Sequence, residues 1–145
     1  MRTGQPSSGR VLICEDNTLI ADGWSHMLRD AGYDVAGPAA TAEKALEEAQ
    51  RQLPDLALID IGLRGPVDGV SVAAELEPLG VLIIFVTADY QRAAAAREYA
   101  ADILIKPVNQ PTLIGSVLLA LQQDTAHRAT AHEDGPGSSR PKAAD

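Results

Sequence analysis

The chain has a single cysteine, Cys14, which excludes an internal disulfide. No apolar run approaches the ~20 residues that a membrane-spanning helix needs. The first ten residues, MRTGQPSSGR, lack the apolar core of a secretory signal. Positive charge is scarce, with 12 Lys and Arg against 20 Asp and Glu and a net charge of -8. Duplex binding relies on clustered Lys and Arg, so direct nucleic-acid recognition is not expected and the partners should be proteins. There is no internal repeat and no phosphate loop of the G-x-x-x-x-G-K type. The three histidines, His26, His127 and His132, have no metal-ligand spacing. What remains is a chain expected to be soluble and cytoplasmic. Its 145 residues, 46% of them hydrophobic, suit one domain that folds without disulfide or metal.

Residues 1–9 are rich in Gly, Ser and Pro, and from Asp124 the apolar periodicity stops, so 1–9 and 124–145 are expected to be disordered tails around a domain at 10–123. Within it, four apolar runs read as buried strands: Val11 to Cys14, Leu56 to Ile59, Val81 to Val86 and Ile103 to Ile105. A weaker fifth lies at Val35 and Ala36. Helical patterns separate them. The first, Thr18 to Ala31, puts Ile20, Trp24, Met27, Leu28 and Ala31 on one face and stops at Gly32. Thr41 caps a second that reaches Gln52, and a third spans Val70 to Glu77. An alanine-rich fourth covers Gln91 to Tyr99, and a fifth runs from Pro111 to Gln123. Strands that are apolar throughout and alternate with helices predict a parallel sheet covered on both faces, an α/β fold.

Open parallel sheets bind ligands beyond the carboxyl ends of their strands. Glu15 and Asp16 follow the first strand, Asp60 the third, Thr87 the fourth and Lys106 the fifth. Each residue alone is an ordinary strand terminator; the ordered set across four strands is not. Carboxylates gathered in a cleft repel one another unless a cation lies among them. All-oxygen ligation selects a hard ion, and Mg2+ keeps positions open for phosphate oxygens. A carboxylate beside such an ion can attack phosphorus, while Lys106 and Thr87 offer a positive charge and a hydroxyl donor to the phosphoryl oxygens. Cys14, inside an apolar strand, reads as a small core hydrophobe.

Over residues 10–123 the segments VLICEDN, LALIDIGLRGPVDG, FVTA and LIKP together resemble the receiver domains of bacterial response regulators. The resemblance implies a flavodoxin-like doubly wound sheet of five parallel strands in the order 2-1-3-4-5 with five helices. It implies that Asp60 accepts a phosphoryl group from a histidine kinase or histidine phosphotransfer protein. By the same likeness Glu15 (through water), Asp16, Asp60 and the backbone carbonyl of Gly62 hold Mg2+. Thr87 and Lys106 then bind the phosphoryl group, and the Lys106–Pro107 bond is cis. Such a module is a switch and not an enzyme beyond its own phosphorylation and dephosphorylation. With one domain in 145 residues, its output to a downstream protein target is expected in trans, and helix four, strand five and helix five offer a homodimer face.

The chain departs from the family at Ile103, where many members carry an aromatic switch residue, and at Arg64, where many have proline. The segment between Thr87 and Lys106 is short, which implies a shortened or displaced fourth helix. Gly62 and Asp89 occupy the positions at which the family tunes the lifetime of its phosphate. Arg92 and Arg97 read as a charged helix face. Two other functions compete. A haloacid-dehalogenase-type phosphatase would need a second Asp where Gly62 stands. A receiver-like binding module independent of phosphorylation draws support only from Ile103.

Overall fold

The computed structural model describes residues 8–133, with side chains through Ala126; residues 1–7 and 134–145 and the side chains of His127 and His132 lie outside the described residues. Twelve elements follow one another as strand and helix alternate: β1 (Arg10–Cys14), α1 (Thr18–Asp30), β2 (Asp34–Ala39), α2 (Ala42–Arg51), β3 (Leu56–Ile59), α3 (Gly69–Leu76) with a 3-10 turn at Glu77–Leu79, β4 (Leu82–Thr87), α4 (Tyr90–Ala95) with a second 3-10 turn at Arg97–Tyr99, β5 (Asp102–Ile105) and α5 (Gln110–Glu133). The sheet has the order β2-β1-β3-β4-β5 with every pair parallel.

Alternation along the central strands assigns each helix to a face. Val11, Ile13, Leu56, Leu58, Ile84 and Val86 point to one side, where Ala21, Trp24 and Leu28 of α1 and Leu113 and Val117 of α5 cover them. Leu12, Cys14, Ala57, Ile59, Ile83 and Phe85 point to the other, under Ala42, Ala45 and Ala49 of α2, Val72, Ala73 and Leu76 of α3 and Ala93 of α4. β1 and β3 therefore have no polar face, because each packs against helices on both sides. The edge strand β2 reads weakly in sequence because Gly37-Pro38, a cis bond, interrupts it and shifts its register on β1. An edge position tolerates a proline that cannot donate to the ladder.

The helix starts follow the capping residues. Asn17 Oδ1 accepts from Ile20 N for α1 at 3.1 Å, Thr41 Oγ1 from Lys44 N for α2 at 3.1 Å, and Asp68 Oδ1 from Val70 N for α3 at 3.1 Å. Two element limits differ from those read in the sequence. Ser8 N donates to Gly32 O and Gly9 O accepts from Asp34 N, so the sheet's backbone network begins before residue 10. At the other end α5 does not stop at Gln123 but continues to Glu133. The segment DTAHRATAHE lacks an apolar stripe, yet it has no Gly or Pro and several alanines, so helix propensity favours its continuation.

Candidate functional site

All the polar residues picked out at strand ends fall on one rim of the sheet. Parallel pairing aligns Cys14 with Ile59, so the residues that follow them, Glu15 and Asp60, emerge side by side. Asp60 N donates to Cys14 O at 2.9 Å, which carries the ladder one step further into the site. Lys106 leaves β5 next to β4, and its N–H donates to Thr87 O at 3.1 Å.

At the centre lies the Lys106 ammonium. Its Nζ is 2.7 Å from Asp60 Oδ2 and 2.7 Å from Glu15 Oε1. The Glu15 side chain is wholly buried and that of Asp60 is 10% exposed, so neither charge could stand there without a counter-ion. Burial raises the Glu15 pKa, opposed by the hydrogen bonds from Lys106 and from Asn17 N. Burial by itself would lower the Lys106 pKa, but the hydrogen bonds and charges of Asp60 and Glu15 outweigh it and hold the group above its ordinary value. Lys106 thus stays protonated at neutral pH. The backbone secures the remaining carboxylate oxygens: Asn17 N donates to Glu15 Oε2 at 2.8 Å and Gly62 N to Asp60 Oδ1 at 3.2 Å.

One oxygen each from Glu15, Asp16 and Asp60 lies within 4.8 Å of the other two. Three carboxylates against one ammonium leave the cluster with two negative charges in excess, which a divalent cation neutralises. The donors are all oxygen, as a hard ion prefers. The residues present therefore fit Mg2+. Of Gly62, the structure shows the amide working on Asp60.

Thr87 is buried at the end of β4, where its Oγ1 accepts from Asp89 N at 3.2 Å. Asp89 in turn caps α4, with Oδ1 accepting from Arg92 N at 3.2 Å. Ile103 is partly buried and packs, with Tyr99, against the face covered by α2, α3 and α4. The fourth helix is indeed short, six residues, followed by a 3-10 turn. Lys106–Pro107 is cis.

Several contributors were not evident in the sequence. Asn17 both caps α1 and holds Glu15 in place; the E-D-N run before an apolar periodicity is a capping signal that could have revealed it. Trp24 is core, as its helix face implies, yet its ring centroid also lies 5.9 Å from Lys106 Nζ. Arg64 reaches across the rim to donate to the Asp16 carbonyl at 3.4 Å, and its own amide donates to Ala40 O at 3.3 Å. Arg92 is not merely part of a charged face, for it forms an ion pair with Asp68. No sequence signal marks these last two contacts. Cys14 is fully buried, and burial pushes its thiol pKa up, so it has no nucleophilic role.

Comparison with known proteins agrees with this geometry. The family model for the response regulator receiver domain matches residues 11–118. The chain belongs to the response regulator receiver domain family. This receiver domain is 34% identical over 118 residues to the transcriptional regulatory protein PdtaR of Mycobacterium tuberculosis strain H37Rv, covering 79% of this chain and 57% of that protein. The chain thus spans little more than half of PdtaR's length. A signal receiver domain of a modulated diguanylate cyclase from Desulfovibrio desulfuricans G20 is 36% identical, with a TM-score of 0.74 and coverage of 82% of this chain and 98% of that one. A CheY-like receiver domain protein from Methanospirillum hungatei JF-1 is 28% identical, with a TM-score of 0.75 and coverage of 81% and 97%. Receiver domains are in general signalling modules and not enzymes; they interact with histidine kinases and downstream effectors, and they typically bind Mg2+. Among the described residues no helix is long and apolar enough to cross a membrane.

Proposed function

We propose that this receiver accepts a phosphoryl group on Asp60 from a histidine kinase or histidine phosphotransfer protein and signals through phosphorylation-dependent binding of a protein target. The observation that carries the reading is the Lys106 ammonium at 2.7 Å from both Asp60 and Glu15, with Asp16 in the same cluster. Glu15 (through water), Asp16, Asp60 and the Gly62 carbonyl would hold Mg2+, which supplies neutralising charge and positions for phosphoryl oxygens.

The chain's own residues perform the rest. An Asp60 carboxylate oxygen forms the new bond to phosphorus as the bond to the donor's imidazole nitrogen breaks, and the electron pair of that bond stays on the nitrogen. Gly62 N steadies Oδ1. Lys106 gives up its contact with Asp60 Oδ2 and takes a phosphoryl oxygen, for which its raised pKa keeps it charged. Thr87 turns its hydroxyl hydrogen toward a second phosphoryl oxygen; its oxygen at present only accepts, leaving that hydrogen available. Asp89, two residues on, stands where it would meet a hydrolytic water or an incoming donor, while Gly62 offers no side chain for either.

The reading extends to a cytoplasmic location. The face formed by α4, β5 and α5 exposes Tyr90, Ile105 and Leu119, which supports its use by a target or by a second copy. Incubation with Mg2+ and acetyl phosphate, followed by intact mass, tests the assignment. One phosphoryl adduct, stable in acid and labile in base, is expected on the wild type and none on Asp60→Asn. An undiminished adduct on the variant, or none on the wild type, overturns it.

A further inference from the structure

The two loops that flank Asp60 are joined by one ion pair. Asp68 ends the loop after β3 and Arg92 sits in the first turn of α4, and their side chains meet across the rim. The Asp68 side is rigid. Asp68 Oδ1 also accepts from Val70 N at 3.1 Å and Ser71 N at 3.3 Å, which fixes it to the start of α3. Its neighbour Gly69 donates to Ile61 O at 2.9 Å, and a Cβ there would come within 2.6 Å of Ile59 Cγ2 and also collide with the Asp60 carbonyl oxygen. That wall is packed directly onto the phosphoacceptor's own peptide.

The Arg92 side is the opposite. α4 is only six residues long, and Ala93 is its one buried residue. It is too short to be stable unless held by its surroundings. A chain of hydrogen bonds leads into it from the site, in which Thr87 Oγ1 holds Asp89 N and Asp89 Oδ1 holds Arg92 N. Any movement of Thr87 toward Asp60 pulls on Asp89 and so on the residue that carries the guanidinium. With Ile103 in place of an aromatic side chain, this polar route runs from Thr87 to α4 without a rotamer change on β5.

We propose that the Arg92–Asp68 pair is a clasp that holds α4 against the phosphoacceptor loop in the resting protein and opens when Asp60 is phosphorylated, making Arg92 the positioning residue of the switch. The proposal rests on Asp60 being the acceptor. An opened clasp would free α4 and release both charged side chains at the rim for a partner.

Hydrogen exchange of the full chain, read over residues 88–99 with and without Mg2+ and acetyl phosphate, tests it alongside intact mass. In the unloaded state Arg92→Gln and Asp68→Asn should each exchange about fivefold faster than wild type in this segment, the scale of losing one partly exposed ion pair in a weakly held helix. The amide oxygen introduced by Asp68→Asn still caps α3, so the pair and not the cap is being read, and Arg92→Lys should restore most of the protection. Loading should raise the wild-type rate to that of Arg92→Gln and change Arg92→Gln by less than about twofold. Wild-type rates in unloaded Arg92→Gln, or an equal rise on loading in both proteins, overturn the clasp. Absence of an adduct on wild type overturns the Asp60 assignment and with it the coupling, while the unloaded comparison still decides whether the pair holds α4.

Discussion

Replacing Lys106 with methionine keeps the length of the side chain and removes the charge that Asp60 and Glu15 share. Both carboxylates are then left facing each other, one wholly buried and the other 10% exposed, with no ammonium at 2.7 Å from either. Removing one partner of a buried pair costs about 3–5 kcal/mol; because the Lys106 side chain keeps 18% exposure and the rim admits water, the low end, about 3 kcal/mol, is the expectation. With a urea m-value near 2 kcal/mol/M, the midpoint should fall by about 1.5 M at pH 7 in the presence of a chelator. Adding Mg2+ should narrow the gap, since a divalent ion takes over the missing charge. The double variant Lys106→Met/Glu15→Gln should recover about half of the loss, because one stranded charge has been neutralised. In the wild type the raised Lys106 pKa contributes stability that is complete below the unfolded lysine value of about 10.4 and disappears as pH rises through the folded value. The variant should lack that alkaline limb. A cost below about 1 kcal/mol, or a double variant no more stable than the single one, would refute the claim that Lys106 compensates both carboxylates.

Three further outcomes are expected. Arg64→Ala removes a cation from beside Asp16, so Mg2+ measured by calorimetry should bind about two- to threefold more tightly, corresponding to about 0.5 kcal/mol for an exposed charge. Gly69→Ala places a methyl group against backbone that cannot yield, and should cost about 2–3 kcal/mol in urea denaturation without changing the site's charges. Burial raises the Glu15 pKa, so its ionised form opposes folding at neutral pH and that penalty lifts as pH falls through the carboxylate range. Denaturation midpoints of wild type and Glu15→Gln should therefore converge as the pH is lowered from 7 toward 4.5.

What the sequence made legible was whatever local pattern alone determines. β1, β3 and β4 stand out as unbroken apolar runs because helices cover both of their faces, and the acidic pair, Asp60, Thr87 and Lys106 stand out because a parallel sheet brings its strand ends to one rim. β2 was faint because an edge strand can be polar and kinked, as Gly37-Pro38 makes it. The reach of α5 beyond Gln123 is not legible because periodicity reports burial, and those ten residues lack an apolar stripe although they are helical. Arg64 on Asp16 and Arg92 on Asp68 join loops that are 48 and 24 residues apart, and nothing in the local sequence specifies such meetings. Even Trp24, correctly placed in the core, gave no hint of its neighbour across the sheet end.

That neighbour has a practical consequence. The chain contains one tryptophan, and its ring centroid lies 5.9 Å from the ammonium that Glu15 and Asp60 share. Its emission therefore has a single origin, beside the cation that any occupant of the cleft must displace or recruit. The protein carries an intrinsic optical gauge of its own acidic cleft, readable without a label.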